Sequence, residues 1–489
     1  MKNHSDYNIS EMTLPNKLIC FECIGESYLS EQTRLFGEKG KECSYCGEED
    51  TSVFPINYIA DHISTVFDQS YSLTSNEPNA YEYMLLADDE NDYDWEREGE
   101  APVDVIADIA NVSYEIAEDI VKILDSANQV DEQRNPGAEA PFNSEARYES
   151  VGRDEEEAVR TWESLTYGLH HSARFFNTGL RSFLDSLFSD IHIKDGRNGK
   201  AIRIVEPGSK FSREIYRARV SVNRDSVKEI LSGLPATLGA PTGRKVRAGR
   251  MNAAGISVFY GACDRDTCLA EVRAPVGSSV VIGQFELVRT VKLLDLDALG
   301  KLHVTKSLFN PGYSADLEKC SFLALLSRRF SMPVIPGGED FDYLLSQAVC
   351  EYLAGSIKPQ LDGIIFKSSQ RGGKGKNITL FNHASFVELP EYPPGTKFAT
   401  YHLPPDDDGE ESYAVSVQLP ADDIDEVHDN RFDNHRLSSA TSTFDTDIPS
   451  LATLRLRTEN VEVIEILGVS YAKRILEVRH HEFTGEPGF

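Results

Sequence analysis

The sequence is short of positive charge. Over 489 residues, 49 Lys and Arg face 79 Asp and Glu, a formal charge of −30. Sequence-independent binding to nucleic acid draws on clustered Lys and Arg that release counterions, so no nucleic-acid partner is expected. A local basic pocket for a small anionic ligand stays open. Long apolar runs are missing as well. No stretch approaches ~18 uninterrupted apolar residues, and no membrane span is expected. The opening Met-Lys-Asn-His-Ser-Asp-Tyr has no apolar run of signal-peptide length. Of the eight cysteines, Cys263, Cys268, Cys320 and Cys350 lie apart in apolar or mixed settings, which reads as a reduced, cytoplasmic chain. There is no internal repeat.

What is present suffices for packed cores: 40% hydrophobic residues, with 20 Tyr and 24 Phe. At roughly 150 residues per domain, the length suggests two or three domains. A first unit spans residues 17–50. Residues 51–195 read as helical, with Phe54, Ile56, Ile59, Ile63 and Phe67 at near-helical spacing, and Val105, Ile106, Ile109, Ile116, Ile120 and Leu124 likewise. The acidic run 87–101 reads as a solvated loop. Residues 126–154, poor in apolar side chains and holding Asn-Pro-Gly and Ala-Pro, read as an exposed, disordered linker. Helices are expected at 155–171 and 173–190.

From about 200 the pattern turns to short strands, including Ala-Ile-Arg-Ile-Val, Ile-Tyr-Arg-Ala-Arg-Val and Val-Val-Ile-Gly-Gln-Phe-Glu-Leu. One helix, Tyr343 to Leu353, interrupts them. After a polar break at 405–411, residues 401–489 form a strand-rich extension in which Val461-Glu-Val-Ile-Glu-Ile-Leu alternates. The fold class is therefore α+β.

Cys20-Phe-Glu-Cys23 and Cys43-Ser-Tyr-Cys46 are two knuckles that can present four thiolates at tetrahedral corners, the geometry of one structural zinc. Four sulfurs leave no open position for water, so the metal would serve folding and not catalysis.

A second set of polar residues runs from 216 to 381. In order it holds Tyr216-Arg-Ala-Arg219, Gly249-Arg-Met-Asn-Ala-Ala-Gly255, Val258-Phe-Tyr-Gly-Ala262 and Glu271. Gly363-Ile-Ile-Phe-Lys-Ser-Ser369 and Gly375-Lys-Asn-Ile-Thr-Leu-Phe381 close it. These motifs resemble a RES domain, a family named for Arg, Glu and Ser and known as NAD-degrading toxins related to ADP-ribosyltransferases. The resemblance covers roughly 211–385, and the domain is placed at 200–400. The amino-terminal part resembles the zinc-bearing HEPN-type domain often fused ahead of RES domains, through its paired knuckles and its helices.

The resemblance implies cleavage of NAD, the substrate, with release of nicotinamide and passage of ADP-ribose to phosphate or water. Arg217 is then the residue that grips the pyrophosphate, for which a guanidinium fork is suited, with Arg219 on the same strand face in reserve. Glu271 stabilises the positive charge that builds on the ribose. Ser368, with no His beside it, is a hydrogen-bond donor to the ligand and not a nucleophile. Arg250, Asn252, Tyr260 and Asn377 complete the expected ligand-binding set, and Tyr343 and Gln347 match a family helix more weakly. Where relatives often carry Trp, this chain has Met251.

Asp264 and Asp266 read as solvated. Two rivals stand beside this reading: ADP-ribosylation of a macromolecule, and a sensor that binds NAD without turnover. A separate neutralising protein, the trigger and the oligomeric state are left open. Many HEPN nucleases use an Arg and a His with four to six residues between them. Here only Arg474 with His480 and His481 has that spacing, beyond the RES-like region, so no nuclease is expected. His62 reads as a packing residue.

Overall fold

The computed structural model describes residues 17–87, 93–129, 139–152, 155–191, 195–196, 199–332, 343–405, 411–420, 452–470, 473–476 and 478. The chain divides into two compact units, Met1–Trp162 with His303–Phe322, and Glu163–Leu302 with Leu323–Phe489.

The first unit starts with a three-stranded sheet in which Thr51–Pro55 lies between Leu18–Cys20 and Glu38–Lys41. The helix Ile56–Ser70 follows directly and buries Ile56, Ile59, Ile63, Val66 and Phe67, the stripe its spacing predicts. The periodic run from Val105 to Leu124 is two helices, Pro102–Ala110 and Tyr114–Ala127, separated by Asn111 in the left-handed region at φ 49°. Pro102 opens the first of them, where a missing N–H costs nothing. His62 packs edge-on against Tyr58, ring centroids 4.6 Å apart, as a packing residue should.

The expected linker at 126–154 is corrected for its described part. Phe142, Ala146 and Tyr148 are buried in the core of this unit. Tyr148–Ser150 pairs with Tyr71–Leu73, and Arg97, from the acidic run, holds Glu139 at 2.7 Å. Three apolar side chains are too few to show a period, yet they suffice to seat a segment between elements already formed. Residues 130–138 and 153–154 of that stretch lie outside the described residues.

The second unit is built on an eight-stranded sheet. Its strands in chain order are β1 (Ile202–Val205), β2 (Ile215–Ser221), β3 (Phe259–Ala262) and β4 (Ser279–Leu287), then β5 (Val291–Asp295), β6 (Gly363–Lys367), β7 (Lys376–Leu380) and β8 (Leu454–Glu465). The spatial order is β8-β4-β2-β3-β7-β6-β5-β1. Only the β5–β6 pair is parallel; the other neighbours run antiparallel. Central strands read as near-continuous apolar runs because both faces are covered, as in β4 with Val280, Val281, Ile282, Phe285 and Leu287 buried.

β8 falls in the stretch expected to be a separate extension. Instead it pairs with β4 along its length, from Ser279 opposite Glu465 to Leu287 opposite Leu454, and buries Leu454 and Leu456. The hairpin Lys397–Leu403 with Ser412–Gln418 precedes it in the chain. More than one helix interrupts the strands. Beside Leu344–Gly355 there are Arg224–Ser232, Arg265–Val272 and Tyr313–Ser331. Arg224–Ser232 buries only Val227 and Leu231, too few for a visible period. No helix among the described residues is long and apolar enough to cross a membrane.

Candidate active site

Strands β2, β3, β6 and β7 and the helix Arg265–Val272 border a cavity of about 570 Å³, within the ~300–1,000 Å³ range of small-molecule sites. Among the described residues its wall includes Arg217, Arg219, Arg250, Arg273 and Lys367 against a single carboxylate, Glu271. A chain of net charge −30 thus surrounds this cavity with cations.

Glu271 reaches the wall from the eight-residue helix that follows β3. Its Oε1 accepts two hydrogen bonds, from Ser368 Oγ at 2.6 Å and from Asn377 Nδ2 at 2.7 Å. The donors stand at the facing ends of β6 and β7, which pair antiparallel with Phe366 opposite Asn377. Glu271 is half-buried, and its Oε2 has no hydrogen bond among the described residues. One oxygen is therefore pinned while the other is left for the cavity.

Arg217 projects from β2, is 6% exposed, and stacks over the Phe259 ring with its guanidinium carbon 4.8 Å from the centroid. Its Nη1 has no hydrogen-bond partner. Burial, and then the neighbouring charge of Arg219, pull the guanidinium down to about 9, which leaves it protonated at neutral pH. A buried charged donor without an acceptor is costly unless an anion completes it. Arg219 differs. Its Nε and Nη2 donate to the carbonyls of Thr237 and Gly239 at 3.2 and 3.3 Å, and burial pulls it down from the usual arginine range.

Arg250 donates to the carbonyl of Phe330 and lies over the ring of Tyr343, 5.6 Å from its centroid. Tyr260 donates to Asn252 Oδ1 at 2.9 Å and accepts from the N–H of Met251 at 3.0 Å, and burial pushes its hydroxyl well above the usual tyrosine range. Gln347 Nε2 donates to the carbonyl of Gly249 at 2.8 Å. A Cβ at Gly249 would lie 2.8 Å from both Asn252 Oδ1 and Tyr260 Oη, so this turn closes only around glycine.

Six of the eight residues expected for the cavity line it: Arg217, Arg219, Arg250, Tyr260, Glu271 and Asn377. Ser368 and Asn252 do not. Ser368 is fully buried behind Glu271, so the expectation that it donates to a ligand is corrected; its hydroxyl is already given to the carboxylate. Asn252 spends its amide on the carbonyls of Arg247, Ala253 and Ile256, at 3.0 to 3.1 Å, and holds the turn. Asp264 is also corrected from solvated to engaged. It caps the Glu271 helix through the N–H and hydroxyl of Thr267, at 2.8 and 2.7 Å, and pairs with Arg371 at 3.0 Å.

Sequence reasoning missed Arg273, Lys367 and Gln370 on the wall. Arg273 occupies the left-handed position that ends the Glu271 helix, φ 46°, where Gly or Asn is usual, and donates to Gln370 Oε1 at 3.1 Å. Lys367 is the last residue of β6, and it pairs with Asp297 at 2.6 Å.

In the first unit, the sulfurs of Cys20, Cys23, Cys43 and Cys46 all lie within 4.8 Å of one another. Cys20 to Cys46 is 3.6 Å and Cys23 to Cys43 is 3.8 Å, against the roughly 3.8 Å edge of a tetrahedron of ~2.3 Å metal–sulfur bonds. The four residues fit a metal ion. Tyr45, inside the second knuckle, donates to Asp119 at 3.2 Å and so ties the cluster to the helix Tyr114–Ala127. The other spacing noted in the sequence, Arg474 with His480 and His481, falls partly outside the described residues, which omit both histidines.

Fold and cavity together define an α+β small-molecule site with an excess of cations around one oriented carboxylate. Residues 214–401 match the family model of the RES domain, and that span holds every cavity residue named above. The match covers β2 to β7 and leaves β1 and β8 of the same sheet outside it. No curated protein and no solved structure matches the chain.

Proposed function

We propose that the second unit cleaves the bond between nicotinamide and ribose in NAD and passes ADP-ribose to phosphate or water, as a toxin that depletes NAD. One observation carries this reading: a carboxylate held through one oxygen by two donors, on the wall of a cavity whose buried guanidinium has an unmet donor. Arg217 receives the pyrophosphate, a role supported by its having a guanidinium donor without a partner in the protein. As the C–N bond breaks, its electron pair leaves with nicotinamide and positive charge grows on the ribose. Glu271, through Oε2, faces that charge. An acceptor oxygen then bonds to the same ribose carbon, and its proton passes to Glu271 or to solvent.

The four cysteines of the first unit would hold a structural zinc, with all ligand positions filled by sulfur and no part in the chemistry. We read the helices behind them as a HEPN-type scaffold that does not cut RNA.

The test is nicotinamide release from NAD by purified protein, with and without phosphate, alongside two variants. Glu271→Gln should bind NAD by calorimetry about as well as the parent, with turnover lower by at least ~100-fold. Arg217→Ala should raise KM strongly. An active Glu271→Gln enzyme would overturn the mechanism. Label from NAD appearing on a macromolecule would favour transfer to that acceptor, and tight binding without any product would favour a sensor.

A further inference from the structure

The loop between β6 and β7 does more than connect two strands. Ser368, its first residue, and Asn377, just inside β7, are the two donors to Glu271, and its middle reaches the start of the helix that bears Glu271. Arg371 Nη1 donates to Asp264 Oδ1 at 3.0 Å and to Thr267 Oγ1 at 3.3 Å. Asp264 in turn caps that helix through Thr267. Gly375, at φ +78°, packs so closely that a Cβ would sit 2.0 Å from Thr267 Oγ1. The backbone N–H of Cys263 also donates to the carbonyl of Lys376 at 2.8 Å. The carboxylate and its two donors therefore belong to a helix and a hairpin fastened together at a point away from the cavity, since neither Arg371 nor Asp264 lines it.

We propose that Arg371 and Asp264 are positioning residues that fix the Glu271 helix against the β6–β7 loop and so set where the carboxylate stands. This rests on the role given to Glu271 above. The pair is 34% and 41% exposed, so its direct share of global stability is small. Its effect is local. An eight-residue helix has little cooperativity of its own and depends on its cap and its contacts. Loss of the clamp lets the helix shift by a fraction of an ångström, and reaction rates respond steeply to such misplacement.

The experiment uses the full chain with Arg371→Gln, Asp264→Asn and Arg371→Lys. Hydrogen exchange of the segment 263–275 should be several-fold faster in the first two, with exchange elsewhere and the melting temperature nearly unchanged. In nicotinamide release, kcat should fall ~10-fold with KM held within about 2-fold, and Arg371→Lys should recover part of it because a point charge restores one contact. Parental kcat should also decline between ~0.05 and ~0.5 M KCl, as an exposed pair is screened, and that of Arg371→Gln should not. Unchanged exchange in the segment overturns the clamp whatever the substrate is. Faster exchange with no nicotinamide released by the parent leaves the clamp standing and overturns the NAD reading. Faster exchange with parental kcat shows that the clamp does not govern the chemistry, and a rise in KM alone assigns Arg371 to binding.

Discussion

Ser368→Ala separates two roles that the sequence does not distinguish. The hydroxyl is fully buried and lies 2.6 Å from Glu271 Oε1, so its removal leaves that oxygen with Asn377 alone. A hydrogen bond to a charged group contributes about 1.5–3 kcal/mol. If the carboxylate acts on charge that develops only as the glycosidic bond breaks, that loss appears in turnover, and at ~1.4 kcal/mol per factor of ten kcat falls roughly 10- to 100-fold. KM should move by less than about 2-fold, because the hydroxyl is not on the cavity wall. Asn377→Ala, alone and combined with Ser368→Ala, completes a cycle. Since both donors share one oxygen, the effects should be non-additive. The assay is steady-state nicotinamide release with a melting curve for each variant. A Ser368→Ala protein with intact kcat and a raised KM would show that the serine touches the substrate after all.

Two further outcomes follow from ionisation and metal binding. Burial alone would push the Asp362 carboxyl up, but His383, Arg289 and the N–H of Lys292 outweigh it and bring it down to about 2. A carboxyl whose folded value is depressed stabilises the protein above its unfolded value near 4 and loses that contribution as pH falls toward 2. Asp362→Asn should therefore lower stability by about 2 kcal/mol at neutral pH and by little near pH 2, read from denaturant unfolding at each pH; an equal loss at both would refute the linkage. Metal analysis should give about one zinc per chain, and Cys43→Ser should abolish it and lower solubility before it lowers nicotinamide release. Metal-free protein with an unchanged melting curve would remove the zinc.

The elements that the sequence revealed are those in which one physical cause acts alone. The helix Ile56–Ser70 has an apolar stripe against a polar face, and β4 has an apolar run long enough to be a buried strand. The paired knuckles announce a thiolate cluster because thiolates at that spacing have few other uses, and the four sulfurs do converge. What stayed hidden depends on partners remote in the chain. Residues 139–152 have too few apolar side chains to signal order, but they pack on a core supplied by helices before them. β8 alternates clearly, yet nothing local says that its partner is β4, more than 160 residues earlier, across a pairing of Leu287 with Leu454.

The site shows the same division, and charge makes it sharper. Residue type and order were enough to gather Arg217, Glu271, Ser368 and Asn377, but not to say which of them face the cavity, because β6 and β7 had to pair before Ser368 could be seen behind the carboxylate. Net charge misleads in a related way. It is a sum over the chain, whereas the cavity wall carries, among the described residues, one carboxylate and five cations. Four of these already have acceptors: Arg219 on the carbonyls of Thr237 and Gly239, Arg250 on that of Phe330, Arg273 on Gln370 and Lys367 on Asp297. Three of those four have neutral acceptors, which fix a guanidinium in place without cancelling its charge. Their field is thus set before any ligand arrives, and little reorganisation is left for the moment of reaction. Among the described residues Arg217 is the cavity cation with a buried nitrogen left without a partner, so on the proposed reading direct contact with the pyrophosphate falls to it while the others contribute to the potential.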